Sequence, residues 1–298
     1  MIGYLYLAIA LFAGLSKGFC GKQTSRDMQG IRDCLFINLL RMLFGAFIGL
    51  ILVFIYGDLE FLALGAAELS VYILTAASIT LFSVLWMYAY KADAYVFLNI
   101  FTMLGSIITC LLSFFVYNDS IKWNQWLGMA ILLVAVTIMS KYNKQIKGRI
   151  SLKGILILIF GCLGSATADF SQKVYMREFG RSVAAYNFYS YLFAFLLLLI
   201  ISAAFLLKDK GIEVTPVISS KKSILIYFAM AFFLFLNTTS KTMAAGKLTS
   251  AQIYPVLQGA NLICSALMAH ILFKEKANLK SSVGMAVAFS GLLIMNML

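Results

Sequence analysis

Residues 283–295 read VGMAVAFSGLLIM and residues 127–139 read LGMAILLVAVTIM: a Gly-Met-Ala lead, an apolar run and an Ile-Met close, 156 positions apart. Working outward, the same shift carries Asp119 onto Glu275 and Lys91 onto Lys247. An ordered set of matches at one shift marks an internal repeat. Upstream, Lys22, Arg26 and Asp27 fall on Lys173, Arg177 and Glu178 at a shift of 151, and Asn38 with Leu43-Phe44 falls on Asn187 with Leu192-Phe193 at 149. Small drifts of this kind are what loop insertions produce. The chain divides on this reading into a first repeat (1–142), a basic linker (143–152) and a second repeat (153–298).

The 298 residues are 62% hydrophobic and only 12% charged, with mean hydropathy +0.93, which leaves too little polar surface to wet a soluble globule. A bilayer core about 30 Å thick takes about 20 apolar residues per helix. Ten segments meet that length, at about 2–19, 34–56, 69–90, 95–117, 126–140, 155–171, 183–207, 224–243, 251–273 and 283–298. Their apolar runs are continuous instead of alternating, so they are helices and not barrel strands. The apolar piece at 61–67 is too short to span and is left unassigned. The fold class is therefore an all-α integral membrane protein, ten transmembrane helices arranged as two inverted five-helix repeats. An odd helix count forces the second repeat to enter from the opposite side, an arrangement that suits alternating access to a central site.

The formal charge of +12 would suggest nucleic acid in a soluble chain. Here the Lys and Arg residues sit mostly between apolar runs, where they meet headgroups and set orientation, so no nucleic-acid partner is expected. Sixteen lie in connections opposite the termini and five on the termini side, which by the positive-inside rule places both termini outside. The five scattered cysteines offer no disulfide framework or CxxC metal pair. No basic leader precedes the first run, so it reads as a retained helix and the mature chain as this sequence. The short tails read as those of a bacterial plasma-membrane protein. Gly21-Lys22 and Gly246-Lys247 lack the rest of a phosphate loop, and neither HExxH nor a Ser/His/Asp constellation occurs, so no cofactor, metal or catalytic residue is expected.

Ionisable side chains deep in a span cost about 2.5 to 3.5 kcal/mol on insertion scales and usually face a cavity or a partner. Arg41 lies two turns into the second span, and Lys241 follows the polar run Asn237-Thr238-Thr239-Ser240. Lys17 and Asp169 are one position apart in the repeat alignment and are candidates for pairing across the pseudo-twofold axis. The amides Asn38, Asn187, Gln258 and Asn261 either bind solute or glue helices together. These eight residues are the candidate binding set. Lys22, Lys91, Lys173 and Lys247 recur by symmetry and serve either as gates or as headgroup anchors. Glu68 marks the start of the third span, and His270, the single histidine, is either a pH-sensitive gate or simply interfacial.

Each half ends with an apolar helix, a short polar turn with an acid (Asn118-Asp119-Ser120, then Lys274-Glu275-Lys276), about eight residues, and a Gly-led last helix at Gly128 or Gly284. With Ala245-Gly246-Lys247-Leu248-Thr249-Ser250 leading into a helix that contains Pro255, the chain resembles the drug/metabolite transporter superfamily in its ten-helix form with two EamA-like domains. Asn99 stands where a second proline is expected. The resemblance implies a carrier for small metabolites, amino acids, sugar nucleotides or drugs, in a family whose termini usually face the cytoplasm, against the charge count here. Its partners would be a small-molecule substrate, membrane lipids and either protons or a counter-substrate, with the carrier a monomer or homodimer. The mixture of Lys17, Arg41 and Lys241 with Asp169 favours an anionic or zwitterionic metabolite. Two alternatives stand beside it: proton-coupled export of cationic drugs through Asp169 or Glu68, and a lipid flippase component or structural membrane partner.

Overall fold

The structure is a computed structural model that describes residues 2–25, 28, 30–56, 64–91, 95–141, 152–208, 221–273 and 279–296. These contain ten helices: α1 (Ile2–Ser25), α2 (Ile31–Tyr56), α3 (Ala66–Lys91), α4 (Tyr95–Tyr117), α5 (Trp123–Lys141), α6 (Leu152–Glu178), α7 (Val183–Lys208), α8 (Lys221–Ala245), α9 (Ser250–Phe273) and α10 (Leu279–Asn296). Every expected span falls on one of them, apart from residues 297–298 of the tenth, which lie outside the described residues. Among the described residues, α1, α2, α3, α7 and α8 are long and apolar enough to cross a bilayer by composition alone, while α4, α5 and α10 contribute shorter apolar stretches. Helix α6 carries Ser165, Asp169, Gln172 and Lys173 along its length, all buried; protein, not lipid, surrounds them.

Local chemistry ends the helices where the connections demand it. The Ser182 hydroxyl accepts the Ala185 N–H at 3.2 Å and opens α7, a side-chain cap on an otherwise orphaned donor. Gly180 takes φ +57° just after α6 and donates its N–H to Tyr175 O at 3.0 Å, the left-handed turn that glycine adopts without strain. The Gln252 side chain accepts the Thr249 N–H at the start of α9, and Gln125 accepts the Lys122 N–H at the start of α5.

The packing follows the repeat. The α1 contact with α8 has its counterpart in α6 with α3, α2–α8 in α7–α3, α1–α9 in α6–α4, and α4–α5 in α9–α10, while α2–α7, α4–α9 and α5–α10 map onto themselves. Exchanging the two halves leaves this scheme unchanged, the signature of a pseudo-twofold axis between inverted repeats. Small residues let the self-mapped pairs close: a Cβ on Gly49 of α2 would meet Phe188 Cα at 2.9 Å, and one on Gly291 of α10 would meet Gly128 O of α5 at 3.1 Å. Lipid gives helices no hydrophobic reason to associate, so this close approach carries the contact.

Three sequence expectations shift. Helices α1 and α6 run on to Ser25 and Glu178, beyond the expected ends at 19 and 171. Hydropathy stops at the first polar turn, whereas the helix continues wherever neighbours shelter it: Tyr175 is fully buried there. Lys22, Lys173 and Arg177 are accordingly helical, not in loops. Of the unassigned piece at 61–67, residues 61–63 lie outside the described residues, and α3 begins at Ala66. The linker residues 143–151, Glu275 and the side chains of Lys91 and His270 also lie outside them.

Candidate functional site: a cationic cavity between the halves

Helices α1, α2, α3, α4, α6, α8 and α9 surround a mid-bundle cavity of about 130 Å³. Its wall holds Lys17, Arg41, Asp169, Lys241, Gln258 and Asn261, so six of the eight candidate binding residues come together. Asn237 and Thr238 of the polar run in α8 also line it. Gly14 lets the amides approach, since a Cβ there would meet Asn237 Nδ2 and Asn261 Oδ1 at 3.2 Å.

Asp169 is paired with Lys241, whose Nζ donates to Oδ1, and not with Lys17 as the repeat alignment suggested. The alignment places Lys17 and Asp169 by sequence position, but the packing of α8 against α6 brings Lys241 to the carboxylate. Tyr254 supports the same turn by donating its hydroxyl to Asp169 O at 2.7 Å.

Lys17 and Arg41 both lie against one indole. Lys17 Nζ lies 5.1 Å from the Trp86 ring centroid and Arg41 Cζ 5.7 Å from it. Among the described residues, neither has a carboxylate within ion-pair reach. A cation–π contact returns about 0.5 to 2 kcal/mol, whereas a buried charge without a counter-ion costs several kcal/mol, so the indole offsets only part of the cost. Arg41 Nη1 donates to Asn38 Oδ1 at 2.6 Å, and its Nε is buried without a hydrogen-bond partner. Gln172 Oε1, also on the wall, is likewise buried and unpartnered.

Asn38 and Asn187 stand outside the lining. Asn38 holds Arg41 while donating to Cys34 O at 2.8 Å, and Asn187 donates to Thr239 Oγ1 at 2.9 Å, tying α7 to α8. Trp86, Gln172, Thr102, Ser165 and Ser265 line the cavity and were not singled out from sequence. Trp86 lies five residues from the end of α3, where a tryptophan reads as an interfacial anchor.

The end of the bundle that carries the termini is closed. Asp119, in the α4–α5 turn, pairs with Lys173 at 3.2 Å and with Arg177 at 2.9 Å, and accepts the Ser250 N–H at 3.2 Å. Lys173 donates further to Leu248 O at 2.9 Å and Ala245 O at 3.3 Å, so one buried ammonium binds α6, the α4–α5 turn and the α8–α9 turn together. Burial pushes the Asp119 carboxyl upward, but Lys173, the Ser250 N–H and Arg177 outweigh it and hold the group below its ordinary value. Alongside, Arg181 lies 3.6 Å from Glu68 and Tyr72, Tyr175, Tyr186 and Tyr189 stack together. Of the symmetric lysines, Lys173 is 1% exposed, Lys22 half-buried and Lys247 exposed.

Among solved structures that match, one crystal structure superposes with a TM-score of 0.73 over 99% of this chain and 96% of its own, at 10% identity, a likeness of fold alone. No curated protein matches the sequence. The model of the EamA-like transporter family matches twice, over residues 1–141 and 152–297. Two matched halves, packed as inverted repeats around a polar cavity in an apolar bundle, place the chain in the EamA-like transporter family of the drug/metabolite transporter superfamily, membrane transporters of small molecules.

Proposed function

We propose that this transporter is a secondary carrier whose mid-bundle cavity binds a small anionic or zwitterionic metabolite by alternating access. The observation that carries the reading is the pair Lys17 and Arg41, two cations facing one cavity without a carboxylate partner among the described residues. A solute that brings negative charge into a low-dielectric site relieves an unpaired charge there, so binding energy is concentrated at these groups. The Asp119–Lys173 contacts seal the termini end in this conformation, and the pseudo-twofold packing supplies a second arrangement of near-equal energy that opens it. In the orientation favoured by the distribution of Lys and Arg, the cavity faces the cytoplasm and the sealed end faces out.

Asp169 runs against export of cationic drugs, because Lys241 already neutralises it. The test is flux in proteoliposomes loaded with small carboxylates or amino acids, for the natural chain and for Lys17→Gln and Arg41→Gln. Saturable anion flux lost in both variants supports the reading; flux of lipophilic cations alone, dependent on Asp169, overturns it. Absence of soluble-solute flux with retained lipid scrambling would move the protein to lipid handling.

A further inference from the structure

We infer that the solute is a small dianion, either a short dicarboxylate or one phosphate-type group on a short skeleton; this rests on the carrier reading above. The charges on the described cavity wall are Lys17, Arg41 and Lys241 against Asp169. Asp169 and Lys241 cancel each other, which leaves two positive charges side by side on Trp86. A monoanion neutralises one and leaves the other on the cavity wall without a counter-ion. A zwitterion adds an ammonium, whose natural partner, Asp169, is already held by Lys241. A dianion supplies one negative charge for each cation.

The geometry of the donors fits the same class. Arg41 lines the cavity and commits Nη1 to Asn38, so its guanidinium is held in place as a fixed planar cation suited to a carboxylate or phosphate. Lys17, against the same indole, is a point charge that pairs with any second anionic group. Size narrows the choice: a cavity of about 150 Å³ is filled by benzene, and this one measures about 130 Å³. That matches the bulk of a four-carbon dicarboxylate or a three-carbon phosphate monoester.

The experiment is binding to the detergent-purified full chain at pH 7.5, followed by calorimetry and by thermal stabilisation. The probes are succinate, glycerol 3-phosphate, the monoanion succinamate and the zwitterion 4-aminobutyrate. Either dianion should bind at least tenfold more tightly than succinamate or 4-aminobutyrate, and which of the two is tighter distinguishes a dicarboxylate from a phosphate ester. Lys17→Gln should bring dianion and monoanion to within about twofold of each other. Asp169→Asn, which releases Lys241, should tighten dianion binding; a site that reads a substrate ammonium would lose zwitterion binding instead. Equal or tighter binding of succinamate or 4-aminobutyrate overturns the dianion inference and leaves the anion carrier standing. Binding of none of the four at 10-mM probe, a generous concentration for a transporter site on the ordinary affinity scale of about 1 µM to 1 mM, overturns both. If Lys17→Gln does not fold, Trp86→Phe, which keeps a ring under both cations, must retain the dianion preference.

Discussion

Asp169 on α6 and Lys241 on α8 form an ion pair on the cavity wall, with the carboxylate side chain 4% exposed and the lysine 12%. Breaking a buried pair by removing one partner strands the other charge and typically costs about 3 to 5 kcal/mol. Lys241→Met and Asp169→Asn should each lower the melting temperature of the apo protein, and the double variant should recover much of the loss. Additive losses in the double variant would show that the two side chains do not act as a pair.

Gly21 lies under the edge of the Trp86 indole: a Cβ there would meet Trp86 Cη2 at 2.5 Å. Trp86 is itself buried and cannot simply swing away. Gly21→Ala should therefore displace the ring from Lys17 and Arg41 and weaken anion binding about tenfold, the equivalent of about 1.4 kcal/mol and within the range of desolvated cation–π contacts. Trp86→Ala should reproduce the loss, and titration of the two variants with the same anion checks it.

Lys173 holds the termini end through Asp119, Ala245 O and Leu248 O. Lys173→Met removes all three contacts, leaving Asp119 with Arg177 and Ser250. The sealed conformation should lose population, so a cysteine introduced at Ser113, which is fully buried and accepts the Ser250 hydroxyl, should react with a membrane-impermeant maleimide faster than in the natural background. Unchanged labelling would mean that the contact is structural and does not gate.

Asp119 titrates below its ordinary value. A carboxyl whose folded pKa is depressed contributes stability that is fully present above its unfolded value, about 3.9, and is lost as pH falls through the folded value. Melting temperature should therefore be insensitive to this group between pH 5 and 8, an expected range set by that value, and should fall below about pH 4. In Asp119→Asn the acid-side fall should be shallower and the neutral-pH stability lower; an unchanged acid limb would remove Asp119 from the account.

The ten helices were legible because lipid imposes a crude rule, about 20 apolar residues per span, and the repeat was legible because 127–139 and 283–295 kept both their ends. The helix ends were less so, since α6 continues past its apolar run where Tyr175 and Lys173 are sheltered by α7 and the α8–α9 turn. Of the 24 Lys and Arg residues, sixteen and five fall at the two sets of helix ends; the remaining three are Lys17, Arg41 and Lys241, which all line the cavity. Cost of burial explains why such residues could be read as candidates from their position along a span.

Partnership could not be read that way. Lys17 and Asp169 are neighbours in the repeat alignment, yet Lys241, 72 residues beyond Asp169, takes the carboxylate; Asn38 and Asn187 occupy matched positions, yet one orients Arg41 and the other ties α7 to α8. Trp86 was not singled out in the sequence; the fold makes it part of the site by bringing two cations from α1 and α2 onto it. Hydropathy and repetition act along the chain, so sequence sufficed for the medium, the helix count and the inverted architecture. Which charges cancel and which remain for a solute depends on contacts between helices distant in the chain, and those distances exist only once the two halves have packed.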